Sequence, residues 1–148
     1  MNPTSSNIGG WRDSEIRGVL KSIVFDSLPN DLKAVIKEAV KINISVPTYD
    51  KLFLLSAIEV TTQIVGFYGM EWGSGTTYEY WRNVPIPGAM PSNGAEVKRD
   101  IHGIAHSWHL RSRSVTDTNH FASIGSTGGL WIGVFANSSR GIAPAFGV

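Results

Sequence analysis

At 148 residues, 42% apolar and with no cysteine, the chain suits one domain around one core. It excludes disulfide staples, Cys-ligated zinc and thiol catalysis. Thirteen Lys+Arg against twelve Asp+Glu leave a net charge of +1 with no basic stripe, which argues against a binder that tracks nucleic-acid phosphates. The longest apolar run, Leu52 to Val60, is broken by Ser56 and Glu59 and is too short to cross a bilayer, so no membrane insertion is expected.

After Met1, "NPTSSNIGGW" offers no charged n-region and no apolar h-region, so no signal peptide is read. Polar residues run straight into Trp11, and the start is read as that of a C-terminal piece of a longer protein. "WRDSEIRGVLKSIVF" reads as a helix. Asp13 or Ser14 is its N-cap, and Ile16, Val19, Leu20 and Ile23 form its stripe. "SLPNDLKAVIKEAVKI" reads as a second helix, with Pro29 in the first turn. Leu32, Val35, Ile36, Ala39 and Val40 form its apolar face, and Lys33, Lys37, Glu38 and Lys41 face water. "INISV" and "DKLFLLS" are short strands on either side of Pro47. Leu52 to Leu55 have the unbroken apolar character of a strand buried on both faces, and Ser56 caps a helical turn through Glu59.

From Thr61 to Asp100 the periodicity dissolves into a long segment rich in aromatics and proline, in which Tyr78, Tyr80 and Trp81 form a short helical or bridged piece. The last part is strand and turn: "HSWHLRS", "NHFASIG", "GLWIGVF" and "GIAPAF", with "STGG" as a hairpin turn. The fold class is α+β: two N-terminal helices packed on a small twisted antiparallel sheet with long loops, in one domain over 1–148.

His102, His106 and His109 would form a metal-binding face on a helix. Gly103 weakens a helix, and strand alternation sends His106 and His109 to opposite faces, so no metal site and no cofactor are assigned. No G-x-S-x-G is present. "GSTGG" lacks the lysine of a phosphate loop, and no catalytic residue is assigned. A carboxylate pair for glycoside hydrolysis would have to come from Glu59, Glu71, Glu79 and Glu96, which spacing alone does not bring together. Arg111 reads as a hub that ties down a loop, whereas Arg113 and Arg140 sit in loops where a ligand can meet them. Alternation sets Trp131 and Phe135 opposite Leu130, Ile132 and Val134. Either they present aromatic anchors among Gly, Ser and Asn, as a recognition surface does, or the long central segment covers them.

"W-H-L-R-S" at Trp108–Ser112, followed by "G-I-A-P-A-F" at Gly141–Phe146, resembles the W-x-L-R-S … G-V-R-P-A-F signature of an uncharacterised phage and Firmicutes domain family. That family is found at the ends of prophage structural proteins and surface proteins. "N-x-G-G-W-R-D-S-E-I-R-x-x-L", "S-L-P-N-D-L-K-x-V-I-K" and "D-K-L-F-L-L-S-A-I-E-V" resemble its phage members too, so the likeness runs from Asn7 to Phe146. The resemblance implies a C-type-lectin-like fold with ligand contacts on the C-terminal strands and loops, here 112–119 and 131–140. Two departures limit it. Ala143 stands where the family often has Arg, and the Glu-Pro-Asn and Trp-Asn-Asp calcium motifs of animal C-type lectins are absent, so calcium-dependent sugar binding does not carry over.

The expected function is that of a non-enzymatic binding module of a phage tail or surface protein, on a virion or extracellular surface. It attaches to a host cell-surface glycan or protein as a homo-oligomer. Its ligand residues are expected to be Trp131, Phe135, Asn137, Arg140, Arg113 and Asn119, with Tyr78 and Trp81. The alternatives are a structural virion decoration or assembly domain, and a cell-wall glycan hydrolase.

Overall fold

Ser14 opens the first helical stretch with an extended backbone, but its hydroxyl donates back to the Trp11 carbonyl at 3.0 Å rather than capping the helix. This computed structural model describes residues 1–43, 46–60, 71, 76–82 and 97–148. The stretch runs through α1 (Glu15–Val19), a π-helical turn (Leu20–Val24) and α2 (Phe25–Ser27). The π turn fits an extra residue into the helix and rotates the residues after it. The expected stripe therefore holds at Ile16 and Leu20 and fails at Ile23, which is exposed. Val24 and Phe25 pack against the core in its place.

The second helix is much shorter than its periodicity suggests. α3 spans Asn30–Val35, and Ile36 is already extended, with ψ at 122°. Lys37 N–H then donates to the Gly147 carbonyl at 2.9 Å, and Ala39–Asn43 forms strand β1, antiparallel to β2 (Val46–Asp50). Pairing with β2 overrides the helical spacing. Alternation along β1 also reverses one expectation: Val40 and Ile42 point outward, and Lys41, expected in water, is buried.

Leu52 to Leu55 are buried as expected, but only Phe53 bridges a neighbour, Ala145. α4 spans Ala57–Val60, and the Ser56 N–H donates to its Glu59 carboxylate at 2.8 Å, half of a capping box. The other half is absent. The Ser56 hydroxyl is buried without a partner among the described residues, and the Ala57 N–H is met at 2.9 Å by Ser112 from another part of the chain. α5 spans Glu79–Arg82. Most of the long segment expected between Thr61 and Asp100, including Glu96, lies outside the described residues.

The C-terminal third is built from antiparallel pairs. β3 (Lys98–Arg99) pairs with β4 (Ala105–His106), and β5 (Trp108–Arg113), β6 (His120–Ile124) and β7 (Leu130–Phe135) form one sheet in that order. Residues 141–146, expected as a fourth strand, are instead joined with Gly147 through isolated bridges: Gly141 to Trp108, Ala145 to Phe53 and Gly147 to Lys37. The fold is mixed α+β, with short helices and several small antiparallel sheets.

One cluster joins these pieces: Trp11, Leu20, Ile36, Leu52, Leu54, Trp81, Trp108, Leu110 and Ile124. Each large side chain buried this way is worth about 1.5–3 kcal/mol. β5 is covered on both faces, since His109 and Arg111 are as buried as Trp108 and Leu110.

Two buried carboxylates organise the polar interior. Asp50 accepts from Trp11 Nε1 at 2.9 Å, Thr48 Oγ1 at 2.7 Å and Arg17 Nε at 2.8 Å, fixing the first helix to β2. Glu59 accepts from Arg111 Nη1, from Lys41 Nζ at 3.0 Å and from the Ser56 N–H. Arg111 Nη1 also donates to the Leu54 carbonyl at 2.8 Å, as expected of a hub. Lys41 Nζ donates to Tyr78 Oη at 3.1 Å and lies 3.7 Å from the centre of the Phe53 ring. Burial pushes the Glu59 carboxyl up, but the Arg111 hydrogen bond and charge, the Ser56 amide and Lys41 together hold it below the usual carboxylate range.

Breaking this cluster on one side strands charge. Glu59→Gln leaves Arg111 and Lys41 uncompensated, with an expected loss of about 3–5 kcal/mol in urea unfolding. Because the folded pKa is depressed, Glu59 contributes fully above its ordinary value of 4.5 and its contribution is lost as pH falls through the lower folded value. The parent should therefore lose stability below pH 4.5 more steeply than the variant.

Candidate functional site

The β6–β7 hairpin is closed by residues 125–129. Gly125 N–H donates to the Gly129 carbonyl at 2.7 Å, and Gly128 sits at φ 92°, a left-handed position that favours glycine. Ile124 faces Leu130 and Ser123 faces Trp131, but Phe121 faces Val134 and His120 faces Phe135. One extra residue is thus accommodated in β7 between Trp131 and Val134, a β-bulge. Both rings are exposed, Trp131 at 62% and Phe135 at 49%, as one of the two sequence readings has it. They do not share one platform, however. Trp131 sides with Ser123 and Phe135 with His120, and those two, three apart on β6, project to opposite faces.

Trp131 is laid over Gly125. A Cβ at that glycine would lie 2.8 Å from the indole Nε1. Around the indole is a cleft of about 360 Å³ lined by Ser107, Gly125, Ser126, Thr127, Trp131 and Arg140. A second cleft of about 360 Å³ adjoins it, sharing Ser107, Ser126 and Arg140 and adding His106 and Ser139. Arg140 is exposed, and its side chain makes no ion pair or hydrogen bond among the described residues. Its backbone is held on both sides: Ser138 N–H donates to the Phe135 carbonyl at 2.9 Å and Gly141 N–H to the Ser107 carbonyl at 2.9 Å. Among the described residues, the cleft has one free cation, hydroxyls and an open indole face.

The other expected ligand residues fall into three places. Phe135 packs on His120 with ring centres 4.5 Å apart, and Asn119 and exposed Asn137 flank this pair, the Asn119 carbonyl accepting from the Ala136 N–H. Arg113 is half-buried and committed: it pairs with Glu71 at 3.2 Å and donates to the Asn7 carbonyl at 3.2 Å, beside a cleft of about 330 Å³ near Gly10 and Arg12. Tyr78 and Trp81 line a pocket of about 400 Å³ with Lys41, Phe53 and Phe146. Trp81 is only 4% exposed and belongs to the core, so its ring is not a surface anchor. It was drawn in by the same apolar packing that makes its neighbours buried.

The histidines do not converge. His106 Nε2 lies 3.0 Å from Asp100, His120 Nδ1 lies 3.0 Å from Asp117, and His102 is exposed. His109 is buried, with Nε2 donating to the Ser138 carbonyl at 3.1 Å. Its Nδ1, and the hydroxyl of its cross-strand partner Ser123, are buried without a hydrogen-bond partner among the described residues. Burial, then the positive chain terminus and Arg140, lower His109 to about 4. The Asp117 carboxyl, pushed up by burial, is held down to about 2 by the Asn119 amide, His120 and Ser114.

Ser107, Ser126 and Thr127 are the residues that sequence reasoning missed. The signal for Ser126 and Thr127 was the "STGG" turn itself, which brings two hydroxyls to the hairpin end that carries Trp131, whereas Ser107 had none. Asn7 was missed as well. Fully buried, its side-chain amide donates to the carbonyls of Ser114, Asp117 and His120, and it pins the loop between β5 and β6.

Over residues 1–148 the chain matches a family described as a domain of unknown function, DUF6273. The chain belongs to that family. No curated protein and no solved structure matches it.

Gly125→Ala is expected to push the indole off its seat while leaving the fold intact. A shifted Trp131 indole N–H signal with unchanged far-ultraviolet circular dichroism would show this. His109 should make stability fall as pH drops from 6.5 through about 4, because its folded pKa is depressed and the unfolded state takes up the proton first. Urea midpoints across that range should be flatter for His109→Gln.

Proposed function

We propose that this DUF6273 domain is a non-enzymatic binding module with a C-type-lectin-like arrangement. It belongs to a phage tail or prophage surface protein, on a virion or extracellular surface, and holds a host cell-surface glycan or protein. The observation that carries the reading is the 62%-exposed Trp131 beside Arg140, unpaired among the described residues, in a hydroxyl-lined cleft. A rigid aromatic ringed by adaptable polar groups is how recognition surfaces combine contact area with low entropic cost. Glu59 and Glu71, two of the four carboxylates weighed for hydrolysis, are occupied by Arg111 and Arg113, which supports binding over glycan cleavage.

A second reading, an assembly domain that packs against copies of itself, is favoured by one observation. Val40 and Tyr49 are cross-strand partners on the outer face of the β1–β2 hairpin, Ile42 faces Pro47 beside them, and Val40, Ile42 and Tyr49 are all exposed. Such apolar exposure is a common mark of an interface. The two readings are compatible, because weak single-site binding gains from a homo-oligomer.

Sedimentation of the purified chain with isolated Firmicutes cell walls tests the first reading. Trp131→Ala should lower the bound fraction at least tenfold, and retention equal to the parent would refute it. For the second, the solution mass should rise with protein concentration and return to that of a monomer in Tyr49→Asp. A monomer at all concentrations removes that reading.

A further inference from the structure

Resting on the reading of the Trp131 cleft as a ligand site, the geometry points to an anionic carbohydrate, one bearing a carboxylate or phosphate group, as its ligand. Trp131 presents its ring at the mouth of the cleft, and the apolar C–H face of a pyranose or polyol fits such a ring. Ser107, Ser126 and Thr127 supply hydroxyl groups that both donate and accept, which suits the hydroxyls of a saccharide.

Charge narrows the class. Among the described residues, Arg140 is the one residue of fixed charge that lines the Trp131 cleft, and it also lines the adjoining one. No carboxylate of the described residues lines either cleft. The nearest acid in sequence to their walls, Asp100, is engaged by His106 at 3.0 Å and by the amides of His102 and Ile104. A guanidinium without a partner is a five-donor fork matched to carboxylate or phosphate. A neutral sugar would meet its donors but leave its charge unmatched, and a cationic ligand would be repelled. The backbone that carries the fork is held in place, since the main chain on either side of Arg140 is hydrogen-bonded to Phe135 and Ser107.

Three soluble probes of similar length decide the matter: oligogalacturonate for carboxylate, oligo(glycerol phosphate) for phosphate, and chitotriose as the neutral control. Titrations follow the Trp131 indole N–H signal at 0.05 M and 0.5 M salt. The expected result is at least tenfold tighter binding of one or both anionic probes than of chitotriose. That preference should weaken at high salt and be lost in Arg140→Gln, while Arg140→Lys retains part of it. The better of the two anionic probes identifies the charged group. Trp131→Phe, followed by titration calorimetry because the indole signal is gone, should weaken all three alike. Equal binding of chitotriose and the anions, unchanged by Arg140→Gln, overturns the inference while leaving the module's binding role intact. Cell-wall sedimentation that needs Trp131, with no response to any of the three probes, overturns it as well and turns attention to a surface protein. Arg140 and Trp131 are both exposed, so neither variant threatens folding.

Discussion

Glu59 is the point on which the interior depends. A carboxylate taken out of water is costly unless each lone pair finds a donor. Here Arg111 comes from β5, Lys41 from β1 and the Ser56 amide from the turn before α4. Three stretches far apart in sequence are therefore obliged to meet, and the apolar cluster around Leu54, Trp81 and Trp108 forms about them. Tyr78 is drawn in by its hydroxyl on Lys41 and by its amide on the Glu59 carbonyl. Asp50 does the same for the first helix through Trp11 and Arg17, and Asn7 does so without charge for the loop after β5. Short elements with little hydrogen bonding of their own are thus fixed by a few polar side chains that reach across them.

This manner of fixing explains which parts of the fold were legible. Alternation marked β5, β6 and β7, and the capping pair Ser56 and Glu59 marked α4, because strand and cap signals depend on near neighbours. Alternation put Trp131 and Phe135 on one face and left open whether that face is presented or covered; both rings are exposed, and the bulge parts them. The run from Ser27 to Ile42 deceived, because apolar residues at helical spacing also satisfy a short helix followed by an alternating strand. Only the partners of the strand, Thr48 and Tyr49, reveal which is adopted. Lys41 illustrates the point. Charge at a helix-compatible position suggests solvent, whereas its burial depends on an acid eighteen residues away. The π turn at Leu20–Val24 and the bulge in β7 leave no mark in single-sequence periodicity, and each displaced an expected face.

The candidate site shows a similar division. Trp131 and Arg140 were visible as residue types out of place on a small polar strand and loop. Their meeting with Ser107 was not, since it depends on the bridge that lays Gly141 beside β5. Phe135 lies on the same hairpin but packs on His120 rather than on the cleft. Arg113 had already been claimed by Glu71.

The two main-chain bonds that flank Arg140 have a further consequence. On capture of a ligand, the backbone there has little freedom left to lose, and the entropy given up comes from one guanidinium arm and a few hydroxyl rotors, about 0.5–1.5 kcal/mol for a long side chain. A surface held in this way gives up little of its contact energy to ordering at each encounter.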